Sequence, residues 1–104
     1  MADDEKRRTD RIPVVLEATW NGEAGLREAR VSDIGPSGCY VDTMSQAALG
    51  EVVHINLRLP SGDWLTLSGT VVHLHVHMGF GVRFTDLSEE QRQSVNQLID
   101  TATP

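Results

Sequence analysis

The sequence predicts a mainly β, antiparallel domain with a polar N-terminal arm and one C-terminal helix. Three observations carry that prediction. Apolar and polar residues alternate through a series of short segments, the period of half-buried strands. Turn signals separate those segments at hairpin distances: Asn21-Gly22, the Asp33–Gly38 stretch and Pro60-Ser61-Gly62-Asp63. Near the end the apolar spacing changes from two to that of a helix.

The elements follow in order. Residues 1–12 are polar and without periodicity, which predicts an arm that is mobile while its site is empty. Pro13 drives Ile12 towards an extended conformation and argues against a helix through the arm. The body, residues 13–104, opens with Val14, Leu16, Ala18 and Trp20 facing one way, and the Asn21-Gly22 turn follows, extended to Gly25. Ala29, Val31 and Ile34 mark a second strand running into the Asp33–Gly38 turn, and Cys39–Thr43 a short third. Val53, Ile55, Leu57 and Leu59 define a fourth. In the fifth, Leu65 and Leu67 lie on one parity while Val72, Leu74, Val76 and Met78 lie on the other. Strict alternation cannot bury both sets, so a bulge is expected near Gly69. Phe80, Val82 and Phe84 face inward in a sixth. Ser88-Glu89-Glu90-Gln91 is a capping box, with two acids at the positive end of the helix dipole. Val95, Leu98, Ile99 and Ala102 give the helix, about 88–101, one apolar face. That face packs on the domain or, left uncovered, serves as a docking surface.

At 104 residues the chain suits one domain. No apolar run approaches the roughly 18 residues that span a bilayer, so membrane insertion is not expected. The acidic start, Met1-Ala2-Asp3-Asp4-Glu5, lacks the apolar core of a secretory signal. The single cysteine, Cys39, has no intrachain partner and reads as a small core residue. A cytoplasmic location is expected. Nine cationic side chains against fifteen acidic ones give a net charge of −6. That balance argues against DNA or RNA, whose binding needs a broad basic surface.

Two stretches stand out chemically. Arg7-Arg8-Thr9-Asp10-Arg11 places arginines at i and i+4 in the arm. A guanidinium fork matches phosphate oxygens and the O6/N7 edge of guanine, and its plane stacks on bases. Asp33-Ile34-Gly35-Pro36-Ser37-Gly38 puts an acid before a glycine-rich turn, where backbone can approach a ligand closely. Together they suggest a site for a small, anionic, guanine-bearing ligand. Lys6, Arg7, Arg8 and Arg11 supply local positive charge, offset by Asp3, Asp4, Glu5 and Asp10.

The same two stretches resemble the PilZ domain family, which carries R-x-x-x-R in an N-terminal arm and [D/N]-x-[S/A]-x-x-G on the barrel behind it. Arg7 and Arg11 fill the first motif, and Asp33 and Gly38 the ends of the second. Gly35 stands where the family usually has Ser or Ala, which removes a hydroxyl contact. The resemblance extends from the arm through the closing Gly79–Phe84 strand to the C-terminal helix. It implies that the six strands form an antiparallel β-barrel and that the chain is a stand-alone receptor for cyclic di-GMP. By that resemblance Arg7 and Arg11 clamp guanine edges and phosphates, while Arg8 adds charge or stacks on a base. Asp33 accepts from a guanine N–H or orients an arginine, and Gly35, Ser37 and Gly38 present backbone. An ordered arm would then signal to an effector protein. The alternative is a PilZ-like adaptor blind to the nucleotide.

Other constellations are weaker. His73, His75 and His77 alternate and should share one strand face: a solvent-facing surface, a zinc site helped by His54, or an imidazole set against a guanine base. Trp20 and Trp64 read as packing residues or as base-stacking platforms. No carboxylate pair or nucleophile elbow appears, so neither an enzyme nor a bound metal or cofactor is expected.

Overall fold

Alternation organises the chain as the pattern predicts. The computed structural model describes residues 11–23 and 25–102. Six strands, β1 (Ile12–Gly22), β2 (Gly25–Gly35), β3 (Gly38–Asp42), β4 (Val52–Arg58), β5 (Trp64–His75) and β6 (Gly79–Phe84), precede one helix, α1 (Glu89–Ala102). All strand pairs are antiparallel and close in the order β1-β2-β3-β6-β5-β4, with β4 returning to β1. The fold class is the expected one, a closed six-stranded barrel with a C-terminal helix.

The interior is filled by the inward parity of each strand. Leu16, Ala18 and Trp20 of β1 meet Val53, Ile55 and Leu57 of β4, and Phe80 and Val82 of β6. Trp20 stands edge-on to Phe80, ring centroids 4.9 Å apart at 80°, a favoured aromatic geometry. Cys39 is a fully buried core residue, as its strand-like neighbours suggested. Trp64 instead lies half exposed on the outside, with the Arg58 guanidinium 5.2 Å above its ring.

The capping box forms as read. Ser88 N donates to Gln91 Oε1 at 2.7 Å, and Gln91 N donates to Ser88 Oγ at 3.1 Å. Gln91 Nε2 also donates to the Thr66 carbonyl at 2.8 Å, fastening the helix start to β5. Val95 and Leu98 are buried and seat α1 against β1, β2 and β5, so the apolar face packs on the barrel. Ala102 is exposed.

Four local expectations need correction. Asn21 and Gly22 belong to β1, paired with Leu26 and Gly25; the chain reverses one step later, because β1 continues its ladder with β2 to the Gly22–Gly25 pair. β2 accordingly starts at Gly25 rather than near Ala29. The β5 bulge is not at Gly69. Leu67, Gly69 and Val71 are buried in one unbroken phase, and the register slips between Val71 and His73, making Val72 the extra residue. Gly69 instead allows close packing, since a Cβ there would collide with the Val82 side chain and the Arg83 carbonyl. Finally, β5 stops at His75. His77 lies in the β5–β6 turn at φ 66°, and Val76 and Met78 are exposed, so the three histidines do not share one strand face.

Candidate ligand-binding site

The second motif becomes the β2–β3 hairpin. Gly35 pairs with Gly38 across a two-residue Pro36-Ser37 turn. The Ser37 carbonyl accepts from Phe84 N at 2.8 Å, which pins the turn to the end of β6.

A bulge sets the direction of Asp33. Val31 and Ile34 are both fully buried although three positions apart, an odd spacing that strict alternation forbids. The β2–β3 register moves from Val31–Val41 to Asp33–Tyr40, leaving Ser32 unpaired, and β1 shows a matching irregularity between Pro13 and Leu16. Without that extra residue Asp33 would follow Val31 into the core. With it, Asp33 emerges on the outer face beside Tyr40, the re-aiming that bulges perform next to binding sites.

Arg11 comes to the same place. Its Nη1 lies 3.6 Å from Asp33 Oδ1, with both side chains about one-third exposed (30% and 35%). Such a pair adds at most about 1 kcal/mol to stability. Asp33 Oδ1 is itself shielded from solvent and accepts no hydrogen bond from the described residues. The Arg11 Nη2 atom stands 3.1 Å from the point where a Gly38 Cβ would project, and that Cβ would also strike the Val82 carbonyl. Gly38 therefore admits the guanidinium by having no side chain. Of the expected site residues, Arg11, Asp33, Gly35, Ser37 and Gly38 come together here; Gly35 and Gly38 are covered and Ser37 is exposed. Arg7 and Arg8 lie outside the described residues.

The surroundings supply further polar chemistry. Cys39 lies directly beneath, its thiol pushed up to about 12 by burial, with Arg11 opposing and Asp33 reinforcing that rise. It stays protonated and is no nucleophile. Across the outer surface, Tyr40 Oη and His75 Nδ1 are 2.9 Å apart. Burial first, then Asp42 and Asp33, raises the Tyr40 phenol. His73 leans over Gly81, and His54 Nδ1 is 2.9 Å from Ser68 Oγ. Among the described residues no group of three His, Cys, Asp or Glu converges to hold a metal. Among the same residues no helix is long and apolar enough to cross a membrane.

A guanidinium beside a carboxylate is complementary to guanine, which accepts at O6 and N7 and donates from N1 and N2. Two neighbours, Tyr40 and Arg83, were not singled out from sequence. Alternation with Phe80, Val82 and Phe84 already turns Arg83 outward, but only the register puts it beside Gly38.

Comparison with known proteins agrees with this architecture. No curated protein sequence matches the chain significantly. Among solved structures, the PilZ domain of CeSA from a cellulose-synthesizing bacterium has 20% sequence identity, a TM-score of 0.69, and covers 88% of this chain and 96% of its own. The PilZ domain of YcgR from Escherichia coli, solved with c-di-GMP, has 13% identity and a TM-score of 0.74 over 92% and 90%. PlzA of Borreliella burgdorferi, in complex with c-di-GMP, has 12% identity and a TM-score of 0.68; it covers 94% of this chain, which spans 44% of PlzA. At these identities the likeness is one of fold. The sequence profile of the PilZ domain matches residues 5–101, nearly the whole chain, and the chain therefore belongs to the PilZ domain family.

Proposed function

We propose that this PilZ domain is a receptor for cyclic di-GMP, and that it works as an adaptor rather than an enzyme. The observation that carries the reading is the Arg11 guanidinium, laid over side-chain-free Gly38 beside an Asp33 oxygen that accepts no hydrogen bond from the described residues. In this reading Arg11 and Arg7 grip guanine edges and phosphates, and Arg8 adds charge or stacks on a base. Asp33 accepts from guanine N–H groups, while Gly35, Ser37 and Gly38 offer backbone. The two c-di-GMP-bound structures of similar fold, YcgR and PlzA, support the choice of ligand.

The mechanism is an order–disorder switch. Charge-assisted contacts contribute about 1.5–3 kcal/mol each, and folding a segment onto a ligand costs about 2–5 kcal/mol. Several arginine contacts exceed that cost and reach micromolar affinity, about −8 kcal/mol. The ordered arm then presents a new surface to an effector protein in the cytoplasm.

Calorimetric titration of the folded protein with cyclic di-GMP tests this. Saturable heat at micromolar ligand is expected; no heat up to high micromolar defeats the reading. A second reading, an adaptor that ignores the nucleotide, is favoured by Gly35, which lacks the hydroxyl or methyl of the family motif. That flat titration, together with a partner bound equally with and without nucleotide, would select it.

A further inference from the structure

The outer face of β6 is bare but for one side chain. Phe80, Val82 and Phe84 point inward, so Gly79, Gly81 and Arg83 face out, and two of those three have no side chain. The Tyr40 ring leans over Gly79 and the His73 ring over Gly81. The third outward position is an exposed arginine, and it stands directly across from Gly38, with Thr70 on its other side. One cross-strand row thus reads Gly35, Gly38, Arg83, Thr70. Arg11 covers Gly38 from the β1–β2 side, while Arg83 rises from the next strand over, about 5 Å away.

Two outward arginines of the barrel wall differ in the charges around them. Arg30 sits between Glu17 and Asp42 in its row. Arg83 has no carboxylate in its row, and its side chain makes no hydrogen bond or ion pair among the described residues. In a chain of net charge −6, that leaves an uncompensated cation directly across from Gly38. A guanidinium there is pre-positioned by a rigid strand, so little of its freedom is lost when it grips a phosphate bidentately.

We propose that Arg83 is a barrel-borne phosphate contact for the ligand that Arg11 grips, taking a phosphodiester oxygen beside Gly38 from the β6 side. The inference rests on the cyclic di-GMP reading and adds a residue outside both sequence motifs. Arg83 sits on a rigid strand, so this contact is in place before the ligand arrives.

The test is calorimetry with cyclic di-GMP on wild type, Arg83→Ala, Arg83→Lys and Arg11→Ala, each checked by thermal melting. Arg83→Ala is expected to melt like wild type and bind at least ten-fold more weakly, with Arg83→Lys recovering part of the loss. Arg83→Ala binding within two-fold of wild type, beside an Arg11→Ala that has lost affinity, overturns the inference and leaves the underlying reading intact. Silence from wild type removes both.

Discussion

The β2–β3 turn and the start of α1 are both polar junctions on the same small barrel, and they treat their polar groups in opposite ways. At the helix start the two capping side chains are both answered. Ser88 and Gln91 exchange hydrogen bonds at 2.7 and 3.1 Å, and the spare Gln91 amide reaches the Thr66 carbonyl. At the turn, Asp33 Oδ1 is shielded yet accepts nothing from the described residues, and its cation stands 3.6 Å off. Leaving a buried acceptor without a donor costs about 1–3 kcal/mol. On the proposed reading, the cap closes on itself while the Asp33 oxygen keeps its hydrogen-bonding capacity for the nucleotide.

The comparison predicts that stability and affinity can be broken separately. The largest effect belongs to the core that holds both junctions in place. Phe80 is fully buried against Trp20, and Phe80→Ala should cost about 3–5 kcal/mol in urea unfolding. A cost below about 1 kcal/mol would mean that the barrel interior is not packed as described.

Next comes Arg11→Ala. It should weaken cyclic di-GMP binding about ten- to 150-fold, the equivalent of about 1.5–3 kcal/mol for a charge-assisted contact. The free protein should melt within a few degrees of wild type, since a part-exposed pair contributes so little. A large loss of stability without ligand would assign Arg11 to structure and erase the contrast between the two junctions.

Smaller again is Ser88→Ala, which removes one half of the capping box and should cost about 1 kcal/mol of stability. Ligand affinity should be unchanged, because the helix cap satisfies only itself and β5. A parallel loss of affinity would show that the helix start and the turn act as one unit.

Much of this contrast was legible in the residues. Six strand segments followed from period-two alternation, and the capping box from Ser88 and Gln91, because both signals are local. The hairpin at Gly35–Gly38 was likewise visible in its turn residues. What escaped was register. The offset between Val31 and Ile34 marks a bulge as plainly as the offset in β5, where Gly69 is the more conspicuous but misleading signal. Glycine there answers close packing on Val82, and the β5 slip occurs at Val72. Asn21-Gly22 is a strong isolated turn signal, overridden because β1 pairs with both β2 and β4 up to its end. Arg83 could be turned outward by alternation, but its position beside Gly38 depends on which strands neighbour each other, a non-local fact.

The smallest expected effect addresses the one departure from the family motif. Gly35 ends β2 without a left-handed φ, so nothing in its backbone conformation demands glycine. It pairs with Gly38 in the hairpin, next to the backbone that the Arg11 guanidinium covers. Gly35→Ser returns a hydroxyl to a position where it can meet the ligand, a neutral hydrogen bond worth about 0.5–1.5 kcal/mol. Affinity for cyclic di-GMP should tighten about two- to five-fold. If serine instead weakens binding, the missing side chain is itself part of the site: the ligand lies against bare backbone on both sides of the turn, and the open junction is broader than the Arg11–Asp33 pair alone.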